Sequence, residues 1–277
     1  MADTPYLYQG INLLQTDSSV LISSSRYLNH PQLREWMATE LLRRNGPDVP
    51  TPSGAYRLSF IIKEIQDFAR IDALFEAERK RWPALDRWIG EGFVSSFTKE
   101  DLASLPPDSV GGLFYAHLRD SGFRIDIVPP YQPKGIYDYW LLRSGQTHDW
   151  EHIITHGGFD SLGEIVTGFA RLENIYKHFS PELANELAVM QYLLSIRFVS
   201  RTALHYPHVW HDTWAAVERG RAAGKASDAY VLARYEDVFH LTPREARATL
   251  GVRGVDDTAD TAAASRIWDG VEVPPAG

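Results

Sequence analysis

The segment HDWEHIITHGGFDSLGE, residues 148–164, gathers three of the chain's ten histidines among four carboxylates. A helix advances about 100° per residue. With His148 at zero, His152 lies about 40° away and Asp149 about 100° away, so the three share one face. Imidazoles four residues apart can grip one metal ion from a single helix, as in H-E-x-x-H sites. Glu164 cannot join them along a straight helix, since twelve residues carry it about 18 Å further along the axis. Gly157-Gly158 removes that difficulty by letting the chain turn and bring a second helix alongside, with Glu164 in its first turn.

Two imidazoles and two carboxylates would then converge from two helices. This donor set, without thiolate, suits zinc, iron(II), manganese or cobalt, and spacing does not choose among them. Two histidines plus one carboxylate is also the ligand set of non-haem iron(II) oxygenases. A plainer reading has the histidines on a solvated helix face, with Glu151 and Glu164 as surface charges. His156, one turn beyond His152, is a further imidazole at the fraying end of the helix.

The elements that must position these residues are helical. Apolar residues recur at helical spacing from Ser18 to Arg44, with Pro31 just inside a helix start. Asn45-Gly46-Pro47 ends that run, and residues 47–54 form a loop. One helix is expected over 56–81, another from Leu85, and a capping box at Thr98 and Asp101. Gly122 closes a short helix, and 126–139, with Pro129, Pro130 and Pro133, is irregular. The metal-bearing helix is expected from about 138 to 156, with Ser161 capping the next one. Long helices follow from Pro181 and around Val209, and Thr242-Pro243 opens the last. No strand-period alternation and no internal repeat occur. The expectation is one all-α domain over 1–277, with a loose tail from about 255.

Bulk properties fit an ordinary soluble protein. The net charge of −8 argues against a general nucleic-acid binder. With no cysteine, disulfides, thiolate ligands and a cysteine nucleophile are excluded. The N-terminal residues lack the pattern of a signal or transit peptide, and no apolar run reaches membrane-spanning length. The cytoplasm is the expected compartment, and contact with a membrane surface stays open.

The pattern His148-Asp149-x-x-His152-x11-Glu164 resembles the signature of the coenzyme Q (ubiquinone) biosynthesis protein that is fourth in the Coq series. The segment Leu105-Pro106-Pro107-Asp108-Ser109-Val110-Gly111 resembles that family's leucine-proline-x-x-threonine-leucine-glycine turn. YDYWLLRSGQTHDWEHIITHG resembles its approach to the signature, and Leu162-Gly163-Glu164 its leucine-glycine-glutamate. RGRAAGKASDAYVLARYEDVFHLTPREARATLGV resembles its C-terminal stretch. The likeness runs over about 98–252, whereas the N-terminal third matches poorly. Gly168 and Ala170 replace bulkier, more polar family residues.

The resemblance implies an all-α fold and a divalent metal, commonly zinc, held by His148, Asp149, His152 and Glu164. It also implies an apolar cavity beside the metal for a prenylated aromatic or quinone-type lipid. Further implications are homo-oligomers, other quinone-biosynthesis proteins as partners, and peripheral attachment to the inner face of a membrane. The implied reaction removes the C1 carboxylate of a prenylated hydroxybenzoate and hydroxylates that carbon, which makes the four ligands the catalytic residues. The alternative within the family is a non-catalytic lipid-binding scaffold.

Other residues admit other chemistry. His205, His208, His211 and Asp212 are a second histidine cluster, more simply read as an aromatic-rich helix start. His117 with Asp212 would suit an HD-type metal phosphohydrolase. Trp140, Trp150, Phe159, Phe169 and Tyr176 flank the signature and could line a cavity, although core packing is the plainer role. Arg143 and Arg171 could meet an anionic head group, and surface ion pairing is their alternative.

Overall fold

Prolines and short polar side chains set most helix starts. In the computed structural model, which describes residues 23, 25–42, 52–122 and 130–261, every regular element is a helix. They are α1 (Pro31–Leu42), α2 (Pro52–Ile65), α3 (Phe68–Arg79), α4 (Pro83–Glu91), α5 (Lys99–Ala103) and α6 (Val110–Ser121). Then come α7 (Ile136–Ile154), α8 (Ser161–His178), α9 (Pro181–His205), α10 (Trp210–Ala226) and α11 (Pro243–Leu250). Short 3-10 turns lie at Pro207–Val209, Tyr230–Leu232 and Tyr235–Val238. Thr98 with Asp101, and Thr242 with Glu245, form the expected type of reciprocal capping box. Gly122 and Gly251, left-handed at φ 71° and 67°, end α6 and α11.

The helix expected over 56–81 is two helices. Asp67 accepts from the Arg70 amide at 3.0 Å and caps α3, while the Gln66 side chain donates to the Glu186 carbonyl at 2.9 Å. Local capping and a buried long-range bond therefore interrupt an unbroken apolar period. Beyond α11, Arg247 pairs with Asp257 at 2.8 Å. The turn at Asn45-Gly46-Pro47, the segment 126–129 and the last sixteen residues lie outside the described residues.

The main core gathers Phe75, Trp88, Phe114, Trp140, Trp150, Phe179, Tyr235 and Phe239 from α3, α4 and α6–α9 and the C-terminal turns. Smaller clusters join α1 and α2 to α9, and α8 to α9 and α10. The fixed point of the site is α8. Gly220 and Gly224 bring α10 so close that a Cβ at either would overlap the Val166 or Ala170 carbonyl oxygen. On its other side α8 packs along α9. No helix among the described residues is long and apolar enough to cross a membrane.

Candidate metal centre

The turn between α7 and α8 brings the signature together. Ile154 is the last residue of α7, and His156 rather than a glycine takes the left-handed position, at φ 54°. The Gly157 amide donates to the His152 carbonyl at 2.9 Å and the His156 amide to Ile153 at 3.3 Å. This is the Schellman pattern of paired bonds that closes a helix. Gly158, at φ 78°, then redirects the chain. Asp160, not Ser161, caps α8 and accepts from the Gly163 amide at 2.7 Å. Both residues are capping types, and the backbone geometry selects the earlier one. A Cβ at Gly163 would overlap the Gly157 and Gly158 carbonyl oxygens, so the two helix ends meet backbone to backbone.

Glu164 consequently faces α7. Its carboxylate oxygens lie 3.5 Å from His148 Nε2 and 3.5 Å from His152 Nε2, and the two Nε2 atoms are 3.4 Å apart. Among the described residues, His148, His152 and Glu164 are the group whose ligand atoms all fall within 4.8 Å of one another. His152 is buried, and its Nδ1 lies 2.5 Å from the Gly158 carbonyl oxygen. That contact places the ring proton on Nδ1 and turns the Nε2 lone pair toward His148 and Glu164. Metal bonds of 2.0–2.2 Å at tetrahedral angles set ligand atoms about 3.3–3.6 Å apart. The observed spacings fit a single ion, and His148 and Glu164 stay partly exposed on the side left for a further ligand.

Burial works against charge on Glu164, but His152 and His148 outweigh it and hold the carboxyl well below its ordinary value of 4.5. Burial likewise lowers the His152 imidazole, and Glu164, with Asp149 behind it, more than reverses this. Asp149 stands outside the group of three; its charge acts on His152 and on His117 of α6. His117 stacks on Phe159 at 3.6 Å, and Phe159 stacks on His152 at 5.2 Å. Three parallel rings thus wall one side of the site.

The other sequence candidates fall elsewhere. His156 has its Nε2 3.0 Å from the Ala259 carbonyl oxygen and does not join the group. His205 reaches the Leu41 carbonyl at 2.7 Å, whereas His208, His211 and Asp212 are exposed, so no second cluster forms among the described residues. Glu151, Arg143 and Arg171 are not surface charges. Arg171 grips Glu151 through two bonds of 2.7 and 2.8 Å, and Arg143 grips Glu236 at 2.9 and 3.1 Å, all of them buried. Trp140 and Trp150 belong to the core, Phe169 packs against it, and Tyr176 is 52% exposed. A cleft of about 340 Å³ between α4, α7 and the 3-10 turn at Tyr230–Leu232 includes none of the three metal-group residues in its wall.

Two arginines of α9, Arg197 and Arg201, are also buried. Their signal was present: arginines four residues apart, SIRFVSRTAL, inside an otherwise apolar helix.

No protein-family model and no curated protein matches the sequence. The fold is shared with the crystal structure of a candidate ubiquinone biosynthesis protein from Nostoc punctiforme. That likeness has a TM-score of 0.60 at 14% identity, over 79% of this chain and 94% of the other. The shared property is the all-α architecture.

Proposed function

We propose that this chain is a ubiquinone-biosynthesis protein of the type that is fourth in the Coq series. In this reading it removes the C1 carboxylate of a prenylated hydroxybenzoate and hydroxylates that carbon. The observation that carries the reading is the convergence of His148, His152 and Glu164 on one point at 3.4–3.5 Å. The fold likeness to the Nostoc punctiforme protein supports it. His148, His152 and Glu164 would hold the metal, with Asp149 adding negative charge behind His152. Two imidazoles and a carboxylate would suit zinc, which is the ion this reading assigns. Bound there, a divalent ion supplies Lewis acidity toward a phenolate or carboxylate oxygen of the ring.

The chain's own residues do the rest. The Gly158 carbonyl fixes the His152 tautomer, and the His117–Phe159–His152 stack excludes water from one side. The reaction balances when the aromatic acid, water and dioxygen give the phenol, carbon dioxide and hydrogen peroxide. A phenol ortho or para to the carboxylate, as its keto tautomer, takes the electron pair left when carbon dioxide departs. At the surface, Trp210 and Trp214 stack at 5.4 Å and are 38% and 46% exposed, with Leu204 65% exposed nearby in sequence. Amphipathic rings of this kind suit a membrane interface and a prenyl-lipid supply.

The test supplies purified protein with a short-tail prenyl hydroxybenzoate in air, alongside elemental analysis. Expected are one zinc per chain and release of carbon dioxide, both lost in His148→Ala, His152→Ala and Glu164→Ala. Full turnover by a metal-free variant would sink the reading. Lipid binding without carbon dioxide release would assign the scaffold role instead.

A further inference from the structure

His156 stands where glycine is favoured. Among the described residues it alone of the non-glycines takes a positive φ, 54°, a region that crowds the Cβ of an L-residue. Glycine adopts that region freely, and Gly157-Gly158 follows at once in the sequence. A side chain kept at this position points to a use that glycine cannot serve. The imidazole Nε2 lies 3.0 Å from the Ala259 carbonyl oxygen. A carbonyl only accepts, so Nε2 carries the proton and donates it to that bond.

Ala259 belongs to the segment that follows α11, and this segment has anchors of its own. The Arg253 amide donates to Ser227 Oγ at 2.9 Å, and the Arg253 guanidinium pairs with Asp228 at 2.9 Å. A Cβ at Gly254 would come within 2.8 Å of the Ala222 carbonyl oxygen of α10. Asp257 is held by Arg247 of α11 at 2.8 Å. The chain then runs along the turn between α7 and α8, where Thr261 lies 3.3 Å from the place of a Cβ on Gly158. Ala259 against His156 and Thr261 against Gly158 thus fasten that turn to the α10–α11 end of the molecule.

The fastened turn grips a ligand at two points. The Gly157 amide donates to the His152 carbonyl at 2.9 Å, and the Gly158 carbonyl oxygen lies 2.5 Å from His152 Nδ1. Any shift of Gly158 therefore turns the ring whose Nε2 faces His148 and Glu164. A continuous path of bonds leads from the C-terminal strap through His156 and Gly158 to His152.

We propose that His156 is a positioning residue of the metal centre. By donating to Ala259 it holds the turn so that the Gly158 carbonyl keeps the His152 ring aimed at the ion. The inference rests on the metal centre of the proposed function and not on the reaction assigned to it. Partners that orient a ligand in this way cost about 10–100-fold in metal affinity when removed.

His156→Gly and His156→Gln separate positioning from packing. Glycine deletes the donor and relieves the left-handed backbone; glutamine keeps a donor at similar reach and keeps the strain. Three quantities are measured at pH 8: zinc affinity by competition with a chelator, the melting of metal-free protein, and its nitrogen-resolved imidazole NMR spectrum. In His156→Gly, zinc affinity should fall about tenfold or more, while metal-free melting holds or rises. In His156→Gln, most of that affinity should return without any gain in melting. The His152 signal, identified by its loss in His152→Gln, should report a proton fixed on Nδ1 in the wild type and a mixture of tautomers in His156→Gly. A residue that only supports the fold would move melting and affinity in the same direction. Wild-type zinc affinity in His156→Gly overturns the proposal, as does an unchanged His152 signal or a loss of affinity that His156→Gln shares in full. A wild-type protein that takes no zinc defeats the functional reading instead, and the His152 signal in metal-free protein still decides this one.

Discussion

Helices α7 and α8 meet through two carboxylates in opposite senses. Glu151 of α7 is held by Arg171 of α8, and Glu164 of α8 faces His148 and His152 of α7. The first contact is closed: two bonds of 2.7 and 2.8 Å, a third from Thr147 at 3.1 Å, and a carboxylate 1% exposed. The second is open: 3.5 Å to each imidazole, beyond ordinary hydrogen-bond length, with Glu164 21% exposed. Equivalent partners on the same helix pair are saturated in one place and left short of bonding in the other. The closed pair fixes the helices, so the open group can hold its geometry without satisfying itself. A structural ion pair collapses onto its partner, while a ligand set keeps the separation that an ion requires.

Substitution should separate the two completely. His148→Ala or Glu164→Ala is expected to abolish metal content by elemental analysis, with only a small change in the melting of metal-free protein at pH 8, whereas His152→Ala, which also deletes a buried ring, is expected to lower both. Arg171→Met strands a buried carboxylate and should cost about 3–5 kcal/mol in denaturant unfolding. If Arg171→Met left stability intact, or if His148→Ala and Glu164→Ala unfolded as readily, the two contacts would not differ in kind.

A subtler break lies in the turn that joins them. Gly163→Ala places a methyl on the Gly157 and Gly158 carbonyl oxygens. Overpacking of this sort costs about 1–3 kcal/mol, and it should also weaken metal binding by moving Glu164 off the imidazoles. Asp149→Ala sharpens the boundary of the open site. A residue outside the ligand group that tunes it should cost about 10–100-fold in metal affinity when removed. Complete loss of metal would make Asp149 a ligand.

The open site was far more legible in the sequence than the closed one. His148 and His152 announce themselves by helical spacing, Gly157-Gly158 by its turn propensity, and Glu164 by its place just beyond. All three act within seventeen residues. The pairs Arg143–Glu236 and Arg197–Glu40 join residues 93 and 157 apart, and no local pattern links them. Arg171 looked like a surface charge because burial depends on which face of α8 meets α7, which spacing does not reveal. The Gln66-Asp67 break escaped for a similar reason, since part of what stabilises it is a bond from Gln66 to distant Glu186. His156 in the left-handed position was missed because the adjacent glycines offered a cheaper place for it.

The smallest expected effect is in pH, and it reads the open site directly. In metal-free protein the His152 imidazole is raised above 6.5 by Glu164, against burial, and the Glu164 carboxyl is lowered below 4.5 by His152 and His148. A raised histidine stabilises the fold fully below 6.5, and that stabilisation fades as pH rises through its folded value. A lowered carboxyl stabilises above 4.5, and that contribution fades as pH falls through its folded value. The stability difference between wild type and Glu164→Gln should therefore be greatest between about 4.5 and 6.5 and shrink on both sides. Zinc should invert the alkaline side, because ligation needs unprotonated imidazole and strengthens as pH rises. Paired denaturant titrations at pH 5.5 and 8, with and without zinc, check this. A difference independent of pH in metal-free protein would mean that Glu164 does not sense the two imidazoles, and the open contact would lose its electrostatic basis.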